Sequence, residues 1–261
     1  MRRALVVAVV AALAGIPAAC SDAARRPPRA PDAQWQYQLQ GSIDRSNAAR
    51  VFDVDGAETP AATVRALKRD GRYVVCYFSA GTYENFRSDS GRFPASIRGR
   101  PVEGFGNERW LDIRRLKLIA PVLRSRMRTC ARKGFDAVEP DNVDGYDNPT
   151  GFPLRRSDAL RFTRWLARTA HRLGLAVGLK NSTGLVSSLA GRFDFAVVEQ
   201  CLQYDECDRY RPFARRGKPI YEVEYEGTPG SVCPRARVAG LNTIVKDVDL
   251  TAPSRPCPGR G

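Results

Sequence analysis

Histidine is nearly absent from this chain: His171 is the only one among 261 residues. Ser-His-Asp and Cys-His nucleophiles need an imidazole beside them. His171 sits in RTAHRLG, which reads as a helix end, so neither chemistry has its base. There is no C-x-x-C pair, which removes the usual zinc spacing. No Gly-rich loop follows an apolar run, so the phosphate cradle of nucleotide-binding folds is missing too. Past residue 20, no apolar stretch approaches the length of a membrane span. Lysine is scarce, with 6 against 36 arginines, and the 42 basic residues outweigh 28 acids to give a net charge of +14. The arginines are scattered and no basic, aromatic motif accompanies them. The charge therefore reads as a dispersed basic surface, and no nucleic-acid partner is expected.

What is present begins with an export signature. Arg2-Arg3, the apolar stretch Ala4 to Ile16 and the run Pro17-Ala18-Ala19-Cys20 read as a signal peptide over residues 1–19. A Cys after small residues resembles a bacterial lipoprotein processing site, which would lipidate Cys20. Pro17 replaces the usual aliphatic residue, so ordinary secretion stands as the other reading. The expected location is the outer face of the cell membrane, or the medium, with membrane contact only through that lipid. Residues 20–33, rich in Pro, Ala and Arg, read as a flexible tether. Residues 34–261 then form one domain with a sizeable core.

Within that domain short apolar runs alternate with helical patterns. The expected strands are Trp35–Leu39, Arg50–Val54, Tyr73–Phe78, Phe135–Val138, Leu175–Leu179, Phe195–Val198, Pro219–Val223 and Thr243–Val245. Helices are expected over Pro60–Arg69, Asp112–Lys133 and Ser157–Leu173, with shorter ones over 183–191, 207–216 and 234–239. Eight strands alternating with helices imply a parallel sheet, and the count and length fit an α/β fold closed as a (β/α)₈ TIM barrel. Active-site residues of such barrels gather at the C-terminal strand ends. Here those ends are polar on nearly every strand.

The stretch EPDNVDGYDN at 139–148 concentrates the question. A calcium loop with Gly145 at position 6 would begin at Pro140 and end at Gly151, so its ligand pattern fails at both ends and no metal is expected. A solvated turn is a second reading. The third is half of a catalytic carboxylate pair, with Glu199 after Phe195-Ala196-Val197-Val198 as the partner. Acids on the fourth and sixth strands of a barrel can face each other across a sugar. Lys180, on the fifth, would lie between them and favour an ionised neighbour. Trp35, Tyr77, Tyr83, Trp110 and Tyr225 are the candidate sugar-stacking faces.

Taken together, WQYQLQG, FDVDG, VVCYFSAGTYE, GFDAVEPDNVDGY, GLKNS, DFAVVEQC and YEVEYE resemble glycoside hydrolase family 114, the endo-α-1,4-polygalactosaminidases. The likeness runs over residues 35 to 246. It implies a (β/α)₈ barrel hydrolysing α-1,4-linked, galactosamine-containing polysaccharide with two carboxylates; a monomer with no cofactor is expected. It assigns the pair to Asp141, as nucleophile, and Glu199, as acid/base. Asp53, Asp55, Tyr77, Asn142, Lys180 and Glu222 become the expected substrate contacts, and Glu139 is expected to hold Lys180. The rival is a barrel of the cell envelope that binds carbohydrate without turnover. An even set of six cysteines in an exported chain favours three disulfides. The strand and helix order pairs Cys76 with Cys130, Cys201 with Cys207, and Cys233 with Cys257.

Overall fold

The computed structural model describes residues 26–258; the expected signal peptide and Cys20 lie outside them. Eight strands form the barrel wall: β1 (Trp35–Gln38), β2 (Val51–Asp55), β3 (Tyr73–Ser79), β4 (Ala137–Asp141), β5 (Ala176–Lys180), β6 (Phe195–Glu199), β7 (Ile220–Glu224) and β8 (Asn242–Val245). Each lies beside its neighbour in the chain, and every one of these pairings is parallel. The seam between β1 and β8 is bridged by the Trp35 indole N–H to the Asn242 carbonyl at 2.9 Å and by Leu39 N–H to the Leu250 carbonyl at 3.0 Å.

Both faces of these strands are buried, which is why they appear in the sequence as continuous apolar runs. The side chains alternate. Trp35, Tyr37, Val51, Val75, Ala137, Ala176, Phe195, Val197, Tyr221 and Val223 fill the barrel interior. Phe52, Val54, Val74, Cys76, Val138, Val177, Ala196 and Val198 meet the surrounding helices. The helices are α1 (Ala61–Arg69), α2 (Leu116–Lys133), α3 (Arg156–Arg172), α4 (Val186–Leu189), α5 (Arg211–Ala214) and α6 (Pro229–Ala239). The expected helix order is present. The N-terminal end of α2 falls four residues later than its pattern suggested, because Asp112 instead folds back onto Arg114 at 2.7 Å.

Two features depart from expectation. A three-stranded antiparallel sheet of Thr82–Glu84, Arg98–Val102 and Phe105–Leu111 is inserted after β3. It leans over the C-terminal edge of the barrel, where Leu111 N–H bonds the Gly81 carbonyl at 2.9 Å. The second is at the other end. Part of the expected tether is bound to the barrel floor. Ala30 is buried within the interior core, the Tyr73 and Tyr221 hydroxyls donate to the Pro28 and Pro31 carbonyls, and Asn242 reaches Asp32 at 2.6 Å. The prolines suit this role, since their fixed φ already holds the strap extended. All three disulfides join the expected partners, Cys76–Cys130, Cys201–Cys207 and Cys233–Cys257.

Candidate active site

The strand read as ending at Val138 continues to Asp141, so Glu139, Pro140 and Asp141 belong to β4 itself. Alternation then sends Glu139 and Asp141 into the barrel, one above the other, with Pro140 facing the helices. The same parity places Lys180 at the inner end of β5 and Glu199 at the inner end of β6. Each strand stops in the same manner. Asn142, Asn181 and Gln200 follow these three residues and adopt φ of 57°, 43° and 57°. A left-handed residue turns the chain sharply off the strand and leaves the preceding side chain at the rim; asparagine tolerates that conformation better than most. At the β3 end, Gly81 is pressed so closely against the Asn142 carbonyl that any Cβ would collide with it.

Lys180 is the centre of the arrangement. Its side chain is 2% exposed, and its ammonium lies 3.0 Å from Glu139 Oε1, 3.2 Å from Asp141 Oδ1 and 3.4 Å from Glu199 Oε2. It also donates to the Tyr37 hydroxyl at 2.9 Å, and Tyr37 donates on to Glu139 Oε1 at 3.1 Å. The Tyr37 and Tyr77 rings flank the ammonium, with centroids at 5.4 and 5.8 Å. Burial alone would strip the proton from this lysine. The three carboxylates reverse that and push its pKa well above the ordinary value, so the charge is permanent.

Around that charge the two rim acids differ. Asp141 Oδ1 accepts from Asn142 N–H at 2.6 Å. Glu199 is held on both oxygens: the Tyr225 hydroxyl donates to Oε1, and the Asn181 amide donates to Oε2 at 3.0 Å. Burial raises the Glu199 pKa, but Lys180 and these donors outweigh it and leave the carboxyl below its usual range. Asp144 behaves oppositely, pushed up to about 6 by burial and by Asp141. Asp141, Asp144, Lys180, Glu199, Tyr77 and Tyr225 line one open cleft of about 450 Å³ at the C-terminal edge.

The remaining expected contacts divide. Asn142 lines the cleft and is braced by its amide on Ser79 Oγ at 3.0 Å. Asp53 lies beneath the cleft, 1% exposed, inside the barrel. Asp55 serves structure: it accepts from Ala57 and Glu58 N–H and pairs with Arg87 at 2.6 Å, bordering a separate cavity of about 420 Å³ outside the wall. Glu222 is fully buried on the outer face of β7, beside Glu224, because Tyr221 and Val223 take the interior positions. Trp35 is 1% exposed near the floor, stacked on Tyr37, and Trp110 packs against Gly145. Tyr83 lies under the Arg98 guanidinium. Of the five aromatic candidates, Tyr77 and Tyr225 line the cleft. Phe105, 60% exposed on the inserted sheet, joins them there. Nothing local in the sequence distinguishes Phe105 or Tyr37 from a core aromatic.

Residues 16–260 match the sequence profile of glycoside-hydrolase family GH114. The chain belongs to this family. It is a GH114 glycosidase, and its fold agrees with solved structures. Aspergillus fumigatus Ega3, solved in complex with galactosamine, is 34% identical; the match covers 88% of this chain and 97% of Ega3, with a TM-score of 0.84. The glycoside hydrolase domain of PelA from Pseudomonas aeruginosa shares the fold at 16% identity and a TM-score of 0.68, over 85% of this chain and 96% of that one. An uncharacterised protein of Deinococcus radiodurans is 25% identical over 252 residues, 83% of the GH114 chain described here and 80% of its own length.

Proposed function

We propose that this GH114 enzyme is exported and hydrolyses α-1,4-linked, galactosamine-containing polysaccharide, with Asp141 as nucleophile and Glu199 as acid/base. The observation that carries the pair is the shared lysine. Because Lys180 Nζ lies 3.2 Å from Asp141 Oδ1 and 3.4 Å from Glu199 Oε2, those oxygens are at most about 6.6 Å apart. Inverting enzymes need roughly 6.5–9.5 Å to admit a water, whereas retaining ones work near 5–5.5 Å. The bound favours retention. Asp141 attacks the anomeric carbon while Glu199 gives its proton to the departing oxygen. Water, deprotonated by Glu199, then displaces Asp141 from the glycosyl ester.

A second division of labour is favoured by one observation. Every donor on Glu199 stabilises its anion, which suits a nucleophile better than an acid. An aryl α-galactosaminide with a good leaving group separates the two, since such a group departs without a proton. Asp141→Asn and Glu199→Gln are each expected to lower turnover of polymer at least about a thousandfold. On the aryl substrate, the variant lacking the acid keeps its first step and the variant lacking the nucleophile does not. If Asp141→Asn hydrolysed polymer at the normal rate, the pair would be wrong.

The substrate reading rests on charge as well as on Ega3. A partly deacetylated galactosamine polymer is cationic. The cleft offers Asp141, Asp144, Glu199, Glu108 and Asp249 to it, although the molecule as a whole carries +14. Attraction is therefore local. Export is supported by the three disulfides, with lipidation at Cys20 and free secretion as its two forms. Mass analysis of products from a panel of galactosamine-containing polysaccharides tests the sugar, and labelling with a fatty-acid analogue tests the anchor.

A further inference from the structure

Beneath the cleft, the barrel interior holds a carboxyl group that no cation or donor reaches. Lys180 is the cation that reaches this cluster among the described residues, and it is already shared by Glu139, Asp141 and Glu199. Asp53 on β2 is the fourth carboxyl. It is 1% exposed, and neither of its oxygens has a donor partner. Glu139 is just as buried, at 0% exposure, but its oxygens are unequal: Oε1 receives both Lys180 and Tyr37, while Oε2 receives no donor from any N–H or hydroxyl. Asp53 and Glu139 are both buried inside the barrel, with orphaned oxygens, and each feels the other's charge. Two such carboxylates would repel strongly, and one proton between them removes the repulsion and satisfies both orphaned oxygens. That proton belongs to Asp53, because Glu139 has the ammonium and the phenol to balance its charge and Asp53 has neither.

We propose that Asp53 is a positioning residue for the hydrolytic site: it keeps its proton throughout the working pH range and donates it to Glu139 Oε2, fixing the Glu139 anion that in turn holds Lys180 beneath Asp141 and Glu199. Its environment agrees. Burial first, then the neighbouring charge of Glu139, pushes the Asp53 carboxyl well above the usual range, against a smaller opposing pull from Lys180. The titratable and charged groups facing it are Glu139, Asp141, Lys180 and the Tyr221 phenol. A carboxylic acid held neutral in an apolar site acts as a hydrogen-bond donor, much as an amide would. The role in catalysis rests on Asp141 and Glu199 being the reacting pair; the protonation of Asp53 does not.

The two parts are tested separately on the full chain. Infrared difference spectra at neutral pH, wild type minus Asp53→Asn, should show the carbonyl stretch of a protonated carboxylic acid; Glu222→Gln serves to assign the other buried acid. Asp53→Asn keeps a neutral donor of the same shape, so its turnover should stay within about threefold of wild type with an unmoved pH profile. Asp53→Leu removes the donor. Glu139 then takes up a proton more readily and Lys180 loses its anchor as pH falls. Turnover should drop about tenfold, the worth of one hydrogen bond to a charged group, and the acid limb of kcat/KM should move to higher pH. Absence of the acid band from the difference spectrum overturns the protonation. An Asp53→Asn variant as impaired as Asp53→Leu, or an acid limb unmoved in folded Asp53→Leu, overturns the positioning role.

Discussion

Replacing Lys180 by methionine is the most informative single change, because stability and chemistry respond to it in separable ways. The substitution keeps the stem and removes the charge. At 3.0 to 3.4 Å and an effective dielectric constant near 20, each of the three carboxylate contacts is worth about 5 kcal/mol of gross attraction. Most of that offsets the cost of taking the ammonium out of water. What matters on removal is the anion left behind. Glu139 is wholly buried, and stranding such a partner costs about 3–5 kcal/mol. For a domain of this size, that lowers Tm by about 10 °C or more. Asp141 and Glu199, with side chains 17% and 25% exposed, can draw on water and contribute less to the loss. Combining Lys180→Met with Glu139→Gln removes both charges, so thermal unfolding should recover at least about half of the deficit. Turnover should remain at least about a hundredfold low in both proteins, since the lysine is the cation that Asp141 and Glu199 share while charge and proton pass between them. A double variant no more stable than Lys180→Met would refute the dependence of Glu139 on Lys180. Normal turnover in either protein would refute the electrostatic account of the site.

Other outcomes follow from the same groups. Tyr225→Phe removes the donor on Glu199 Oε1, so the Glu199 pKa should rise and the pH limb it governs in kcat/KM should shift upward, with little change in Tm. Glu222 is buried and its pKa is raised well above the carboxylate range, by burial and then by Glu224. Below about pH 4.3 it is protonated in both folded and unfolded chains. As pH rises, the unfolded chain ionises first and folding loses stability. Glu222→Gln should therefore raise Tm near neutral pH by an amount that shrinks to nothing toward pH 4. Replacing Cys201 and Cys207 together by serine opens a short loop, costing about 2 kcal/mol by loop entropy. Activity should fall with it, since Leu202 and Gln203 N–H in that loop are pinned on Glu224 directly after the Glu199 strand.

The barrel was legible because parallel strands buried on both faces leave runs such as Phe195-Ala196-Val197-Val198 that nothing else explains. Their ends were less so. Glu139-Pro140-Asp141 carries the chemistry of a turn, and only a barrel interior that pairs its carboxylates makes it a strand. The two-sided burial that reveals a strand also conceals its parity, because both faces are apolar. This is why Glu222 was placed in the cleft when Tyr221 and Val223 claim the interior. Asp55 was misread for another reason: its partner, Arg87, lies on an insertion whose strands, RGRPV and FGNERWL, are polar, largely exposed and interrupted by Gly and Pro. Lys180 and Glu199 stand out because each closes an apolar run, and Asp141 because acids crowd just beyond one; the three fall on successive barrel strands.

The strap from Pro28 to Asp32 gives the molecule a front and a back. Its cross-floor contacts mean that the chain arrives at the end of the barrel opposite the cleft, with Arg29 bonded to the Gly217 carbonyl at 3.1 Å. The open end of the barrel, with its cleft, is left clear of the strap. The strap also moves the working boundary of the domain: a chain shortened to begin at Gln34 would lose Ala30 from its interior and uncover the hydroxyls of Tyr73 and Tyr221. Closure of the barrel floor is thus the work of one short, proline-set segment.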